Sequence, residues 1–301
     1  MKLLETSSIR QKDAILLAGL WLVSAFVGAS GASASSLFLA EAFVSPWVQG
    51  QYGQVRLIAA SDSIGPAGEV QIGVQMRLLK GWKTYWRTPG ESGIPTSFDW
   101  SRSSNMEEPK VEWPAPSRMS EFGSEAFGYK REVIFPITIS RTESDGDILV
   151  DLNLSYGVCL NICIPVESHL QLLVPTSAGT PRRTSQARHI ERFARKVPAL
   201  NGSGSLEITS LRVRAERGER VLEVGLKSAA PMESPDATIE LSHEYRMSAP
   251  KVWIADDALE AIVRVPFIKD AEAPDLIGQN LSVVAWQNKG RAVEVILKAL
   301  P

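Results

Sequence analysis

Residues 69–79 read EVQIGVQMRLL, with Val70, Ile72, Val74, Met76 and Leu78 at every second position. A period of two places these five side chains on one face of a half-buried β-strand. The alternation recurs in EVIFPITI (132–139), in DILVDLNLSYGV (147–158) and in HLQLLV (169–174). Between these runs lie TPGESGIP (88–95), EEPKVEWPAPS (107–117) and SEFGSEAFG (120–128), whose Pro and Gly content predicts turns. No helical period of useful length interrupts the stretch from Gln54 to Val174. An antiparallel β-sandwich of about 120 residues is therefore expected here.

Moving outward, the rhythm breaks once. Ala187, Ile190, Ala194 and Val197 recur at helical spacing with Phe193 beside them. This predicts an amphipathic helix from Thr184 to Val197, stopped by Pro198 and followed by a Gly/Ser linker. Its arginines could attract anionic lipid or an acidic partner. The favoured expectation is an Ile/Phe stripe packed on a domain with the arginines solvated. From Leu206 onward seven strand candidates follow: LEITSLRVRA, RVLEVGLKS, ATIEL, PKVWIA, LEAIVRVPF, NLSVVAW and RAVEVILKAL. Seven is the strand count of an immunoglobulin-like sandwich.

The 301 residues are 44% hydrophobic and 22% charged, which is the composition of a folded chain and excludes a disordered one. A net charge of −2 provides no overall basic field, so no nucleic-acid partner is expected. Lys2, Arg10 and Lys12 precede the uncharged AILLAGLWLVSAFVGA (14–29), and Ala32-Ser33-Ala34 supplies small residues for cleavage. Residues 1–34 thus read as a secretory signal peptide. The alternative is an uncleaved anchor, since the charge-free stretch runs on to Ala40. Neither cysteine lies near it, which excludes a lipid-modified N-terminal cysteine. Beyond Ala40 no further membrane span is expected, and with the signal cleaved the mature chain has none.

Export bears on the cysteines, because outside the cytosol thiol pairs tend to oxidise. Cys159 and Cys163 are the only two in the chain, inside SYGVCLNICIPVES (155–168). In a continuous strand they would stand about 13 Å apart. A disulfide needs Cα atoms within about 7 Å. The chain must therefore turn through Leu160-Asn161-Ile162 if the pair is ever bonded, and Pro165 restricts the exit. So short a loop stabilises by only about 2 kcal/mol, against nearly 5 for a loop of 100 residues. A tight pair suits exchange better than stapling, because the second thiolate stays in reach to expel a partner held as a mixed disulfide. The residues alone leave both uses open.

LSYGVC-x3-CIP, the upstream GWKTYWRTPGESGIP and the intervening MSEFGSEAFGYKREVIFPI together resemble the N-terminal periplasmic domain of the DsbD/ScsB thiol:disulfide interchange family. The resemblance covers roughly Val55 to Val174. It implies an immunoglobulin-like sandwich carrying one active cysteine pair, with Cys163 attacking and Cys159 resolving. It also implies a cap loop at Ser120-Glu121-Phe122-Gly123 with Phe122 as the lid, and an aromatic at Tyr85 beside the thiols. A membrane thiol reductase as donor and periplasmic thioredoxin-like proteins as acceptors follow from the same resemblance, with a periplasmic location and no prosthetic cofactor. The C-x3-C spacing is like that of ScsB relatives. Family proteins continue into membrane and thioredoxin-like domains, whereas this sequence continues into a second sandwich, so the donor is expected to be a separate protein.

The residues carry their own alternatives. Phe122 could equally anchor its loop in the core, and Glu121 could be a solvated charge rather than a carboxylate opposing a thiolate. Trp82, Tyr85 and Trp86 either line the site or close the sandwich edge. Tyr156 and Pro165, flanking the cysteines, complete the candidate lining. Met106 and Met119 read as loop packing. His169, His189 and His243 have no metal-ligand spacing. The FDW and SHEY carboxylates read as surface charges, and no G-x-S-x-G or phosphate-binding glycine pattern occurs. Two other functions survive: Cu(I) binding by Cys159 and Cys163, which are soft ligands, and a non-redox scaffold.

The expectation is an all-β chain of two tandem immunoglobulin-like antiparallel β-sandwiches joined by a short amphipathic helix and linker. The expected boundaries are 50–178 for the redox sandwich, 179–203 for the helical linker and 204–301 for the second sandwich, whose expected role is spacing or partner docking.

Overall fold

The computed structural model describes residues 43–90, 93–121, 124–143, 145–200, 205–216, 218–287 and 291–301. The expected signal peptide or anchor lies outside them.

The first half contains β1 (Val48–Gln49), β2 (Gly53–Ala59), β3 (Glu69–Leu78), β4 (Lys83–Gly90), β5 (Ser97–Asp99) and β6 (Lys110–Val111). It continues with β7 (Ser117–Glu121), β8 (Ser124–Lys130), β9 (Glu132–Ser140), β10 (Ile148–Cys159) and β11 (Cys163–Val174). One sheet runs β1-β2-β3-β9-β6, and the facing one runs β11-β10-β4-β8-β7 with β5 alongside β10. Their inner faces share one core, in which Val70, Ile72, Val74 and Met76 of β3 are buried as the alternation requires.

The outer face of β3 is buried as well, at Gly73 and Gln75, because a helix covers it. This helix, α1 (Ala187–Ala194), seats Ile190 and Phe193 in the first core. A Cβ on Gly73 would stand 2.7 Å from Ile134 Cγ2 of β9 and 3.3 Å from Ile190 Cγ1 of the helix, so glycine relieves crowding between the sheet and its cover. Arg192 of α1 bonds Glu132 at 2.8 Å. The helix is thus a cover of the first sandwich as well as a connection to the second. It is shorter than the 184–197 read from the periodicity. Thr184 is held outside it by a hydrogen bond from its hydroxyl to the Ala59 carbonyl at 2.6 Å, and at the other end Lys196 and Val197 bond back only three residues.

The second half contains β12 (Ala199–Leu200), β13 (Leu206–Glu216), β14 (Glu219–Ser228), β15 (Asp236–Ile239) and β16 (Tyr245–Met247). β17 (Lys251–Ile254), β18 (Glu260–Lys269), β19 (Asn280–Gln287) and β20 (Arg291–Lys298) follow. The sheets run β12-β20-β19-β15 and β13-β14-β18-β16, with β17 also on β18, and enclose a second core. All seven expected strands are present. The two that the pattern does not show, β12 and β16, have two and three residues, too short to display a period. Among the described residues every pairing of one strand with another is antiparallel except β12 with β20. Among the described residues the fold is all-β with one short helix, and its sandwiches are immunoglobulin-like.

All three stretches expected as turns overlap strands, the first of them where β4 runs on to Gly90. β6 lies within 107–117, and 120–128 holds the end of β7 and most of β8. The β7–β8 hairpin escapes the apolar pattern because β8 is buried on both faces: Phe127 and Tyr129 enter the main core, while Ala126 packs in a separate cluster and a Cβ on Gly128 would stand 2.0 Å from the Thr84 carbonyl. Among the described residues no helix is long and apolar enough to cross a membrane.

Candidate functional site

β10 ends at Cys159 and β11 begins at Cys163, with Leu160-Asn161-Ile162 making the turn that the spacing demands. The two cysteines are direct cross-strand partners at the closed end of this hairpin. Opposed residues of an antiparallel pair have Cα atoms about 4.5–5.5 Å apart, inside the span a disulfide needs. Both are thiols here, with their sulfurs 2.7 Å apart. Bond formation therefore requires no rearrangement of the strands.

The two thiols differ in access. Cys159 is fully buried, whereas Cys163 is partly exposed. On its other side Cys159 pairs with Lys83 of β4, and the Thr84 hydroxyl locks β4 to β10 by donating to the Gly157 carbonyl at 2.8 Å. That lock sets the position of the next residue, Tyr85, whose hydroxyl lies 2.8 Å from Cys163 Sγ. The phenol can donate to a Cys163 thiolate or accept from the thiol.

Tyr85 is wholly buried, and glycines make its niche. A Cβ on Gly93 would come within 2.8 Å of Tyr85 Cδ1, and one on Gly157 within 3.1 Å of Cδ2. Met119 of β7 and Ala126 of β8 pack with Tyr85 and Cys159 in a small apolar cluster, separate from the main core, with Ile94 and Cys163 at its edge. The site is a thiol pair at a hairpin tip, backed by an apolar wall with one hydroxyl aimed at the accessible sulfur. The turn beside it exposes Leu160 and Ile162, the latter to 73%. Such apolar exposure beside a reactive group favours contact with another protein.

The other lining candidates are placed as follows. Trp82 stacks on Tyr52 with centroids 4.1 Å apart and packs against the main core, away from the thiol cluster. Tyr156 is buried in that same core, where burial raises its phenol pKa against the opposing hydrogen bond from Ser168. Pro165 is exposed and lies opposite Gly157. Phe122 and the side chain of Glu121 lie outside the described residues. Met119, expected as loop packing, is a wall of the site, and Ala126 and Ile94, not expected there, join it. The signal available was positional: Met119 opens the very motif that carries the resemblance. Met106, by contrast, packs against the main core.

His169 lies on β11, its Nε2 2.6 Å from the Asp151 carboxylate, which Gln171 also bonds. Burial acts to raise the Asp151 pKa, but these hydrogen bonds and the Arg102 charge outweigh it and hold the carboxyl below its usual range. Asp151 shares β10 with Cys159 but is not part of the thiol cluster.

Comparison with known proteins finds two matched regions. Residues 54–175 match the family model of the thiol:disulfide interchange protein DsbD N-terminal domain. Residues 196–299 match a domain of unknown function, DUF8393. Among solved structures, the N-terminal periplasmic domain of ScsB from Proteus mirabilis superposes with a TM-score of 0.68 at 24% identity, over 86% of this chain and 98% of that one. This similarity establishes the fold. The reduced DsbD N-terminal domain of Neisseria meningitidis aligns over 51% of this chain and 100% of its own, at 16% identity and a TM-score of 0.24, a score that carries no weight. No curated protein matches the chain.

Proposed function

We propose that the chain, whose residues 54–175 match the DsbD N-terminal domain, performs periplasmic thiol–disulfide exchange through Cys163 and Cys159. The observation that carries this reading is the asymmetry of the pair: an accessible sulfur held against a tyrosine hydroxyl, with a buried sulfur directly across the hairpin.

The Cys163 thiolate attacks one sulfur of a partner disulfide; the partner's S–S bond breaks and its other sulfur leaves as a thiolate. Cys159, after losing its proton to solvent or to the departing thiolate, attacks Cys163 Sγ of the mixed disulfide. That step expels the second partner sulfur and forms the Cys159–Cys163 bond. Two electrons pass from this chain to the partner, and a membrane thiol reductase then restores the pair. Periplasmic thioredoxin-like proteins fit as acceptors, since the exposed apolar side chains of Leu160 and Ile162 suit a protein surface. No prosthetic group is needed.

The test is the redox state of the purified protein across a glutathione or dithiothreitol series, read by thiol alkylation and mass spectrometry. A reversible pair titrating above about −300 mV is expected for exchange. A bond that resists reduction below that range makes it a structural staple.

One observation favours a second reading. Met119 places a thioether in the same cluster as Cys159, and thiolates with a thioether form a soft donor set that suits Cu(I). Stoichiometric Cu(I) binding without any exchange would select it.

A further inference from the structure

The strands that wall the thiol pair turn a second face toward the other sandwich. In the β7–β8 hairpin, Met119 is paired with Ala126, and both pack in the thiol cluster. The adjacent pair, Arg118 with Phe127, faces the opposite way. The Arg118 guanidinium donates to both oxygens of Asp236 at 2.9 Å each and to the Ala237 carbonyl at 2.7 Å. It also lies over the Phe127 ring at 4.7 Å and 3.3 Å from Glu125. Phe127 meets the edge of Trp286 at 6.2 Å.

β4 makes a second contact with the same sandwich, further along the strand. Tyr85 touches Cys163, and two residues on, Arg87 bonds Glu240 at 2.6 Å and Glu294 at 2.7 Å. The Thr88 hydroxyl adds a bond to Glu240 at 3.1 Å. Burial works against the charge of Arg87, but its hydrogen bonds to Glu294 and Glu240 outweigh this and raise its pKa. Val284 of β19 belongs to the first core, so apolar packing joins the same contact.

A spacer could touch the first sandwich anywhere. This one grips β4, β7 and β8, the three strands that supply Tyr85, Met119 and Ala126 to the thiol wall. Bidentate arginine–carboxylate pairs fix position as well as contributing energy, and at 13% and 17% side-chain exposure the Arg118–Asp236 pair is little diluted by solvent. We propose that the second sandwich is a positioning element for exchange, with Arg118 and Arg87 as positioning residues that hold the wall of the Cys163 pocket through Asp236, Glu240 and Glu294. This rests on the exchange reading above. It assigns residues 196–299 a chemical consequence without a group that touches the reacting sulfurs.

The test uses the full chain and variants on the second sandwich alone, Asp236→Asn and the double Glu240→Gln/Glu294→Gln, all close to isosteric. Two quantities are read: the rate of Cys163 alkylation by iodoacetamide from pH 5 to 9, and the equilibrium with glutathione. Small displacements of a reacting group cost on the order of tenfold or more in rate, so a change of about tenfold in the alkylation profile is expected, with the melting transition retained. The exchange Arg118→Asp with Asp236→Arg should restore the profile. Variants that melt like the parent and give a superimposable profile and equilibrium overturn the positioning role. If the parent pair itself does not equilibrate with glutathione, the exchange reading has failed, and the proposal falls with it.

Discussion

Tyr85 Oη lies 2.8 Å from Cys163 Sγ, while the tyrosine ring is wedged between the glycine positions 93 and 157. The ring therefore cannot swing away without pushing backbone aside, and the hydroxyl is fixed at the sulfur. A hydrogen bond to a charged partner contributes about 1.5–3 kcal/mol. Tyr85→Phe keeps the ring and removes only this bond, so it should slow Cys163 alkylation at neutral pH by about tenfold or more with little loss of fold. An unchanged rate would make the tyrosine mere filler.

The unequal access of the two sulfurs predicts unequal variants. With Cys163→Ser, the buried Cys159 has no route to a partner, and reductase activity should vanish without accumulation of mixed disulfides. With Cys159→Ser, attack proceeds but resolution does not, and mixed disulfides should accumulate on non-reducing gels. Equal trapping by both variants contradicts the assigned roles.

Gly157 sits where β10 passes closest to the wall of the pocket. A Cβ there would stand 2.6 Å from Ile94 Cβ and 3.1 Å from Tyr85 Cδ2. Overpacking of this kind costs about 1–3 kcal/mol. Gly157→Ala should lower the denaturation midpoint accordingly and slow alkylation by displacing Tyr85. Gly179→Ala, whose Cβ would meet nothing nearer than Ser177 Oγ at 3.5 Å, is the control and should change neither.

These positions also show where the sequence was readable. Alternation locates β3, β9 and β10 because one face of each packs on a core of ordinary large side chains. It fails at the β7–β8 hairpin, where Phe127 and Tyr129 enter the core but alternate with Ala126 and Gly128, small where Tyr85 and β4 press close, so no polar face marks the period. The cysteine spacing alone demands the turn at 160–162, since no extended chain brings those sulfurs together. Tyr85 stands out only as part of a motif. Arg118 carries no local signal, because its carboxylate partner lies 118 residues away in another sandwich. Gly73 is similar: a Cβ there would meet Ile134 of the neighbouring strand at 2.7 Å and Ile190, on a helix more than a hundred residues later, at 3.3 Å.

The last prediction concerns how that helix is held. Glu132 of β9 bonds Gln75, Arg77 and Arg192, joining the outer face of the sheet to α1. Partial burial acts to raise its pKa, but the Arg77 and Gln75 hydrogen bonds and the charges of Arg77 and Arg192 outweigh it, and the pKa falls below the ordinary 4.5. A carboxyl depressed in the folded state binds fewer protons there than in the unfolded chain. Its contribution is fully present above the unfolded value, and it is lost as pH falls through the folded one. Glu132→Gln removes this term, so stability measured by urea denaturation should drop less steeply below about pH 4.5 in the variant than in the parent. The variant should also be the less stable of the two at pH 7. Parallel pH profiles would show that the carboxylate does not hold the helix to the sheet.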